Sequence, residues 1–150
     1  MYSQDFLCEK YYLDEDGDLF HRSNGRIATW NNGRYLGVSI YKTKYYAHRV
    51  IWCMVHGYWP KDDIDHKDGD PRNNRPDNLR EATRSQNLAN SERNRMRGVR
   101  WNGAGYCARI HVEGQEIWLG SYRTVEEAKA AYQAGADRHF GEYAFHNRED

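Results

Sequence analysis

Asp65 to Asn90 read DHKDGDPRNNRPDNLREATRSQNLAN, and the order of elements in this stretch sets the fold of the middle of the chain. Ile64 and the Asp65-His66 pair close a short apolar lead. From Lys67 to Asp77 the chain is so rich in Asp, Gly, Pro and Asn that neither a helix nor a strand could absorb it, which predicts an ordered loop. Beyond it Asn78-Leu79-Arg80 resumes an extended segment, and Thr83-Arg84-Ser85-Gln86 has the Ser/Thr-x-x-Glu/Gln form of a capping box. Asn87 then falls in the first turn of a helix. The expected order is strand end, long loop, strand, helix, with Asp65 and His66 on the first piece and Asn87 on the last.

Upstream, Ala47 to His56 predicts a helix, with Ala47, Val50, Ile51 and Met54 on one face and Gly57 as its stop. His48, Trp52 and His56 share another face. A packed histidine is commoner than a ligand or a phosphate donor, and the role of His48 stays open between them. Residues 1–46 read as a β-meander, because Asp16-Gly17, Asn24-Gly25 and Asn32-Gly33 are hairpin turn signals flanked by strand formers such as Tyr11-Tyr12, Leu19-Phe20 and Tyr35 to Tyr41. A supporting sheet is the expected role; six basic and six acidic residues there do not favour a DNA-contacting arm.

Downstream, residues 91–96 read as the end of that helix or a linker. Arg97 to Trp101, Tyr106 to Val112 and Gln115 to Tyr122 then predict a three-stranded antiparallel sheet with Glu113-Gly114 at its second turn. Thr124 caps a helix from Val125 to about Phe140, with Val125, Ala128, Ala131, Tyr132 and Ala136 as its apolar stripe. If Tyr106, Ala108, Ile110, Ile117 and Leu119 face that helix, period-two alternation turns Arg109, His111, Glu116 and Trp118 outward. An exposed Trp beside Arg is hard to explain by solubility.

With 150 residues, 29% of them charged and only 39% hydrophobic, the chain suits small modules better than one large core. The net charge is zero, but the distribution is uneven. From Arg72 to Arg109 there are nine Arg and no Lys, against Asp77, Glu81 and Glu92. Such a run suits bidentate contacts to phosphate or guanine. Cys8, Cys53 and Cys107 lie far apart, which indicates neither a disulfide framework nor a zinc ribbon. There is no apolar run of membrane-spanning length and no signal-peptide core, so a cytoplasmic location is expected. An EF-hand reading of the Asp-Gly-Asp loop fails, since aligning Gly69 with the motif's glycine puts Ile64 and Arg75 where acidic ligands are required.

The segment from about 45 to 92 resembles the HNH endonucleases, in the His-Asn-Asn variant of some intron- and phage-encoded homing enzymes. The residues that carry the likeness are Ala47-His48-Arg49-Val50, Asp65-His66, Asn73 to Arg80 and Asn87. The resemblance implies a ββα-metal unit in which His66 is the general base and Asn78 braces the loop that orients it. Phosphodiester hydrolysis needs an activated water and a cation that offsets charge on the phosphate. Asp65 and the side-chain oxygen of Asn87 are the expected ligands of magnesium (or manganese), which prefers hard oxygens and keeps several waters. Arg72 and Arg75 are candidates to reach phosphate.

Residues from about 96 to 147 are similar to the DNA-binding domain of plant ethylene-response factors, a domain also found on phage HNH nucleases. Arg97-Gly98-Val99-Arg100, Ala108-Arg109-Ile110, Trp118-Leu119-Gly120, Glu126-Glu127-Ala128 and Ala131-Tyr132 carry this likeness. It implies a sheet in the major groove, with Arg97, Arg100, Arg109 and Trp118 as contacts to double-stranded DNA. Asn102-Gly103-Ala104 departs from the pattern, and Arg109 and Glu116 exchange its usual charges, so the target sequence does not carry over. A sheet that binds protein instead stays open.

The expected fold is α+β and modular: a β-meander over 1–46, an HNH ββα-metal domain over 47–92, and over 93–150 a three-stranded antiparallel sheet packed on one helix. The expected function is a metal-dependent DNA endonuclease that nicks as a monomer; cutting both strands would need a dimer or a second encounter. Two other readings are a DNA-binding regulator that retains an inactive nuclease fold and a binder of structured RNA.

Overall fold

The computed structural model describes residues 1–91 and 98–147. The chain divides into two compact units, Met1–Glu81 and Ala82–Asp150. Among the described residues no helix is long and apolar enough to cross a membrane, and Cys8, Cys53 and Cys107 are free thiols.

The first unit is built around α2 (Ala47–His56), whose Ala47, Val50, Ile51, Trp52 and Cys53 are all buried. Apolar residues three and four apart give the helix its core face, and Gly57 ends it at φ 84°, donating its N–H to the Cys53 carbonyl. Leu7, Leu19, Val38, Ile40, Ile64 and Leu79 complete that core from the surrounding elements.

The segment before α2 is not a single meander. It opens with a helix, α1 (Gln4–Lys10), where β structure was expected. Seven residues carrying one buried apolar side chain, Leu7, leave little helical pattern to read. Local and tertiary bonds together hold it: the Ser3 hydroxyl accepts from Phe6 N–H, and Gln4 Nε2 donates to the Met54 carbonyl on α2 at 2.8 Å. The strands then form two sheets. β1 (Tyr11–Leu13) pairs with β2 (Leu19–His21) around the Asp16-Gly17 turn, and β3 (Thr29–Asn32), β4 (Tyr35–Ile40) and β5 (Thr43–Tyr46) pair in sequence order. Asn32 pairs with Tyr35, so the β3–β4 turn is Gly33-Arg34, one residue later than the Asn-Gly signal. Gly33 at φ 68° in the first central position suits a type II′ turn.

The β4–β5 turn carries no Gly, Asn or Asp signal. Its two central residues are Tyr41 and Lys42, at φ 44° and 68°. A left-handed residue with a side chain costs roughly 1–2 kcal/mol, a cost that packing of the Tyr41 ring near Phe6 and Tyr2 helps to offset. After α2, β6 (Asp63–His66) pairs with β7 (Leu79–Ala82), and the intervening loop ends in a 3-10 turn at Pro76–Asn78.

In the second unit α3 (Arg84–Ala89) starts with the expected capping box: Thr83 Oγ1 accepts from Gln86 N–H, and the Gln86 side chain accepts from Thr83 N–H. β8 (Val99–Trp101), β9 (Tyr106–Val112) and β10 (Gln115–Tyr122) form an antiparallel sheet with β9 in the centre. It packs on α4 (Val125–Phe140), which opens with a second capping box, Thr124 with Glu127. Ile110, Ala136, Phe140 and Ala144 form the core between them. Gly135 lets the helix lie close, because a Cβ there would sit 2.8 Å from Leu119 Cδ1. Strict alternation along β10 is interrupted by a bulge at Leu119, whose carbonyl accepts from the Tyr122 hydroxyl.

The unsignalled turn generates a test. Lys42→Gly should raise stability by on the order of 0.5–1 kcal/mol, the left-handed cost less the extra chain entropy of glycine. The urea midpoint measures it. Lys42→Ala, which keeps the Cβ, should not produce the gain.

Candidate functional site

Asp65 and His66 are the last residues of β6, and both are 4% exposed, unusual burial for a carboxylate and an imidazole. The Asp65 carboxylate faces Arg80 on β7: Oδ2 accepts from Nε at 3.0 Å and from a terminal nitrogen at 2.9 Å. This ion pair ties the end of β6 to β7. Sequence reasoning did not find it, although strand pairing across a loop is the pattern that would bring the two positions opposite each other.

His66 Nε2 lies 3.1 Å from Asn74 Oδ1. An amide oxygen can only accept, so Nε2 carries the hydrogen and Nδ1 carries the ring's lone pair. Burial pushes the His66 imidazole below its ordinary range; the bond to Asn74 and the carboxylates of Asp65, Asp68 and Asp70 oppose that shift without cancelling it. The residue is a neutral base near pH 7. The contact of Asn74 with His66 has no local signature in the sequence.

The loop is held by its own polar side chains. Asn78 Nδ2 donates to the Asn73 carbonyl at 2.7 Å and to Asp68 Oδ1 at 3.0 Å, while its Oδ1 accepts from Asp68 N–H at 3.1 Å. Asn73 Nδ2 donates to Asp68 Oδ2 at 2.7 Å. Burial by itself would raise the Asp68 carboxyl; the Asp70 N–H, Asn73 and Asn78 outweigh it and hold Asp68 below the usual carboxylate range. Arg72 and Arg75 are exposed, and Arg75 forms an ion pair with Asp16 of the β1–β2 turn.

His48, in the first turn of α2, is part of this centre. It is buried, its ring meets that of His66 edge-on at 5.3 Å, and Tyr46 and Tyr35 flank it at 5.4 Å each. Burial, then the neighbouring His66 and Arg49, push its imidazole down to about 3. It is a neutral, packed ring.

The remaining candidates lie in the second unit. Asn87 is half-buried in α3, its N–H bonded to the Thr83 carbonyl. On the sheet Trp118 is 55% exposed and lies opposite Arg109, whose guanidinium sits 5.5 Å from the indole ring. Arg109 also donates to Glu116 Oε1 at 2.9 Å, so its charge is largely offset. Arg100 is exposed on β8. Arg97 lies outside the described residues.

The His48 environment predicts acid sensitivity. A histidine lowered in the folded state is protonated first in the unfolded state, so its contribution to stability is present above about pH 6.5 and is lost as pH falls towards 3. Between pH 6.5 and 5 that is roughly 1.6 kcal/mol. Urea unfolding at the two pH values should show the loss in wild type and a smaller one in His48→Gln.

Comparison with known proteins adds one finding. Neither the curated proteins nor the solved structures compared with the chain contain a match. Residues 45–89, however, match the family model described as HNH endonuclease. The segment that carries His48, Asp65, His66, Asn78 and Asn87 is thus similar to HNH endonucleases, and the likeness supports a nuclease.

Proposed function

We propose that the protein is a metal-dependent HNH endonuclease of the homing type that nicks double-stranded DNA, with its C-terminal sheet as the DNA-binding module. The observation that carries this reading is the neutral, buried His66 beside Asp65, within a segment that matches the HNH model.

The donor chemistry fits a hard divalent cation. Asp65 offers carboxylate oxygen, and Arg80 orients it by donating two hydrogen bonds to Oδ2. Asp65 and Asn87 would hold magnesium (or manganese), an assignment that rests on the family match covering both. When bound, the cation offsets negative charge on the phosphate and on the departing 3′-oxygen. His66 takes a proton from the attacking water on Nδ1, since Nε2 already carries hydrogen. Asn78 keeps the loop in shape through its three bonds. Exposed Arg72 is the loop cation suited to phosphate, whereas Arg75 must first leave Asp16. Arg97, Arg100, Arg109 and Trp118 contact DNA in this reading, with Arg109 oriented by Glu116 and by the indole. A single centre cuts a single strand, so a monomer nicks.

His66→Ala should lower nicking of supercoiled plasmid in magnesium by about 10² to 10⁴-fold while leaving the gel shift intact. Relaxed circles at the wild-type rate from this variant would refute the assignment. A gel shift without metal-dependent cutting by the wild type would mark a DNA-binding regulator instead. Arg100→Ala and Trp118→Ala should each weaken DNA binding by roughly tenfold, the scale of one stacking or phosphate contact, and still permit slow cutting at high protein concentration. Unchanged binding in both would remove the sheet from the interface.

A further inference from the structure

Asn74 is an anomaly within its loop. It is 1% exposed, and its Nδ2 is buried with no hydrogen-bond partner, a loss on the scale of an unmade bond. Its one side-chain bond runs from Oδ1 to His66 Nε2. Something other than the amide's own bonding must keep it inside.

The β1–β2 turn supplies that force. Gly17, at φ 83°, packs backbone to backbone against the loop: a Cβ there would lie 2.4 Å from Arg75 N and 2.6 Å from Asn74 C. Asp16 pairs with the Arg75 side chain beside that contact. The turn is itself rigid, since Asp14 Oδ1 accepts from the N–H of Asp16 at 3.1 Å and of Asp18 at 2.8 Å. Its flanks are rooted in the core by Tyr11 and Leu19. On the histidine side, the rings of His48 and Tyr35 stand 5.3 and 6.1 Å from His66, so the imidazole cannot withdraw from the amide.

We propose that the β1–β2 turn is a clamp that presses Asn74 onto His66, making Asn74 the positioning residue that holds the imidazole as its Nε2–H tautomer. The inference rests on the reading of His66 as proton acceptor. Without the clamp the neutral ring populates both tautomers and the lone pair is displaced from Nδ1 for part of the time. The hairpin, which reads as a passive support, thereby acts on the reacting group.

Two-bond ¹H–¹⁵N correlation spectra of the full chain at about pH 8, where the ring is neutral, separate the tautomers without DNA or metal. Wild type should show His66 as Nε2–H alone. Asn74→Ala and Gly17→Ala should show mixed tautomers, and Asn74→Asp, which keeps an acceptor oxygen in place, should restore Nε2–H. In single-turnover nicking, Asn74→Ala and Gly17→Ala should lose roughly 10- to 100-fold in rate, as expected for a group that orients another, with DNA affinity unchanged and Asn74→Asp recovering most of the loss. Asp16→Ala, at an exposed position that cannot endanger the core, should move both readouts the same way by a smaller factor. A pure Nε2–H signal in Asn74→Ala overturns the positioning role; wild-type spectra and rates in both Gly17→Ala and Asp16→Ala overturn the clamp. If wild type cuts nothing, the proton-acceptor reading fails, and the spectra still decide the clamp.

Discussion

The ion pair between Asp65 and Arg80 is the constraint on which the rest of the first unit depends. Both side chains are almost wholly removed from water, and removing one partner from such a pair costs on the order of 3–5 kcal/mol, because the other charge is stranded. The pair joins β6 to β7, two four-residue strands that would be marginal as an isolated sheet. Ile64 and Leu79, neighbours of the two charges in sequence, plug the same strands into the core around α2. The ends of the long loop are thereby fixed, and with them the direction in which His66 leaves the sheet.

Between those ends the loop is organised internally by polar bonds. Asp68 is its hub, accepting from Asp70, Asn73 and Asn78, and this network explains why the stretch carries so much Asp and Asn. Such a loop has little apolar surface of its own, so it borrows rigidity from its surroundings. The Gly17 turn presses on it from one side, and the rings of Tyr35, His48 and His66 close the other. The outcome is a histidine that is dry, neutral and held by neighbours on several elements.

The second unit shows a different economy. Its sheet and α4 share a thin core in which small residues allow close approach, with Gly135 against Leu119 and Ala136 beside Ile110. The opposite face carries Arg109, His111, Glu116 and Trp118, where pairing across β9 and β10 sets Arg109 opposite Trp118 and His111 opposite Glu116. The Arg109–Glu116 bond holds the guanidinium near the indole, at the cost of most of its free charge.

Much of this was legible in the amino-acid sequence because it rests on local chemistry. The α2 face at helical spacing, the Gly57 stop, the Thr83 capping box, the Thr124 cap, the strands β9 and β10 and the Glu113-Gly114 turn all depend on residues within a few positions of one another. The composition of the 67–77 stretch likewise declared a loop. Other features depended on tertiary structure. α1 stands partly on a bond from Gln4 to Met54, fifty residues away, and the Tyr41-Lys42 turn takes a backbone form that neither residue prefers. The bonds from Arg80 to Asp65 and from Asn74 to His66, and the contact of Gly17 with the loop, join positions whose residue types serve equally well on a solvated surface. Sequence determines which side chains are available and what each local segment prefers. Which nitrogen of His66 carries its proton is decided only when a distant turn and a folded loop meet around the ring, because a hydrogen bond depends on positions in space that no local preference encodes.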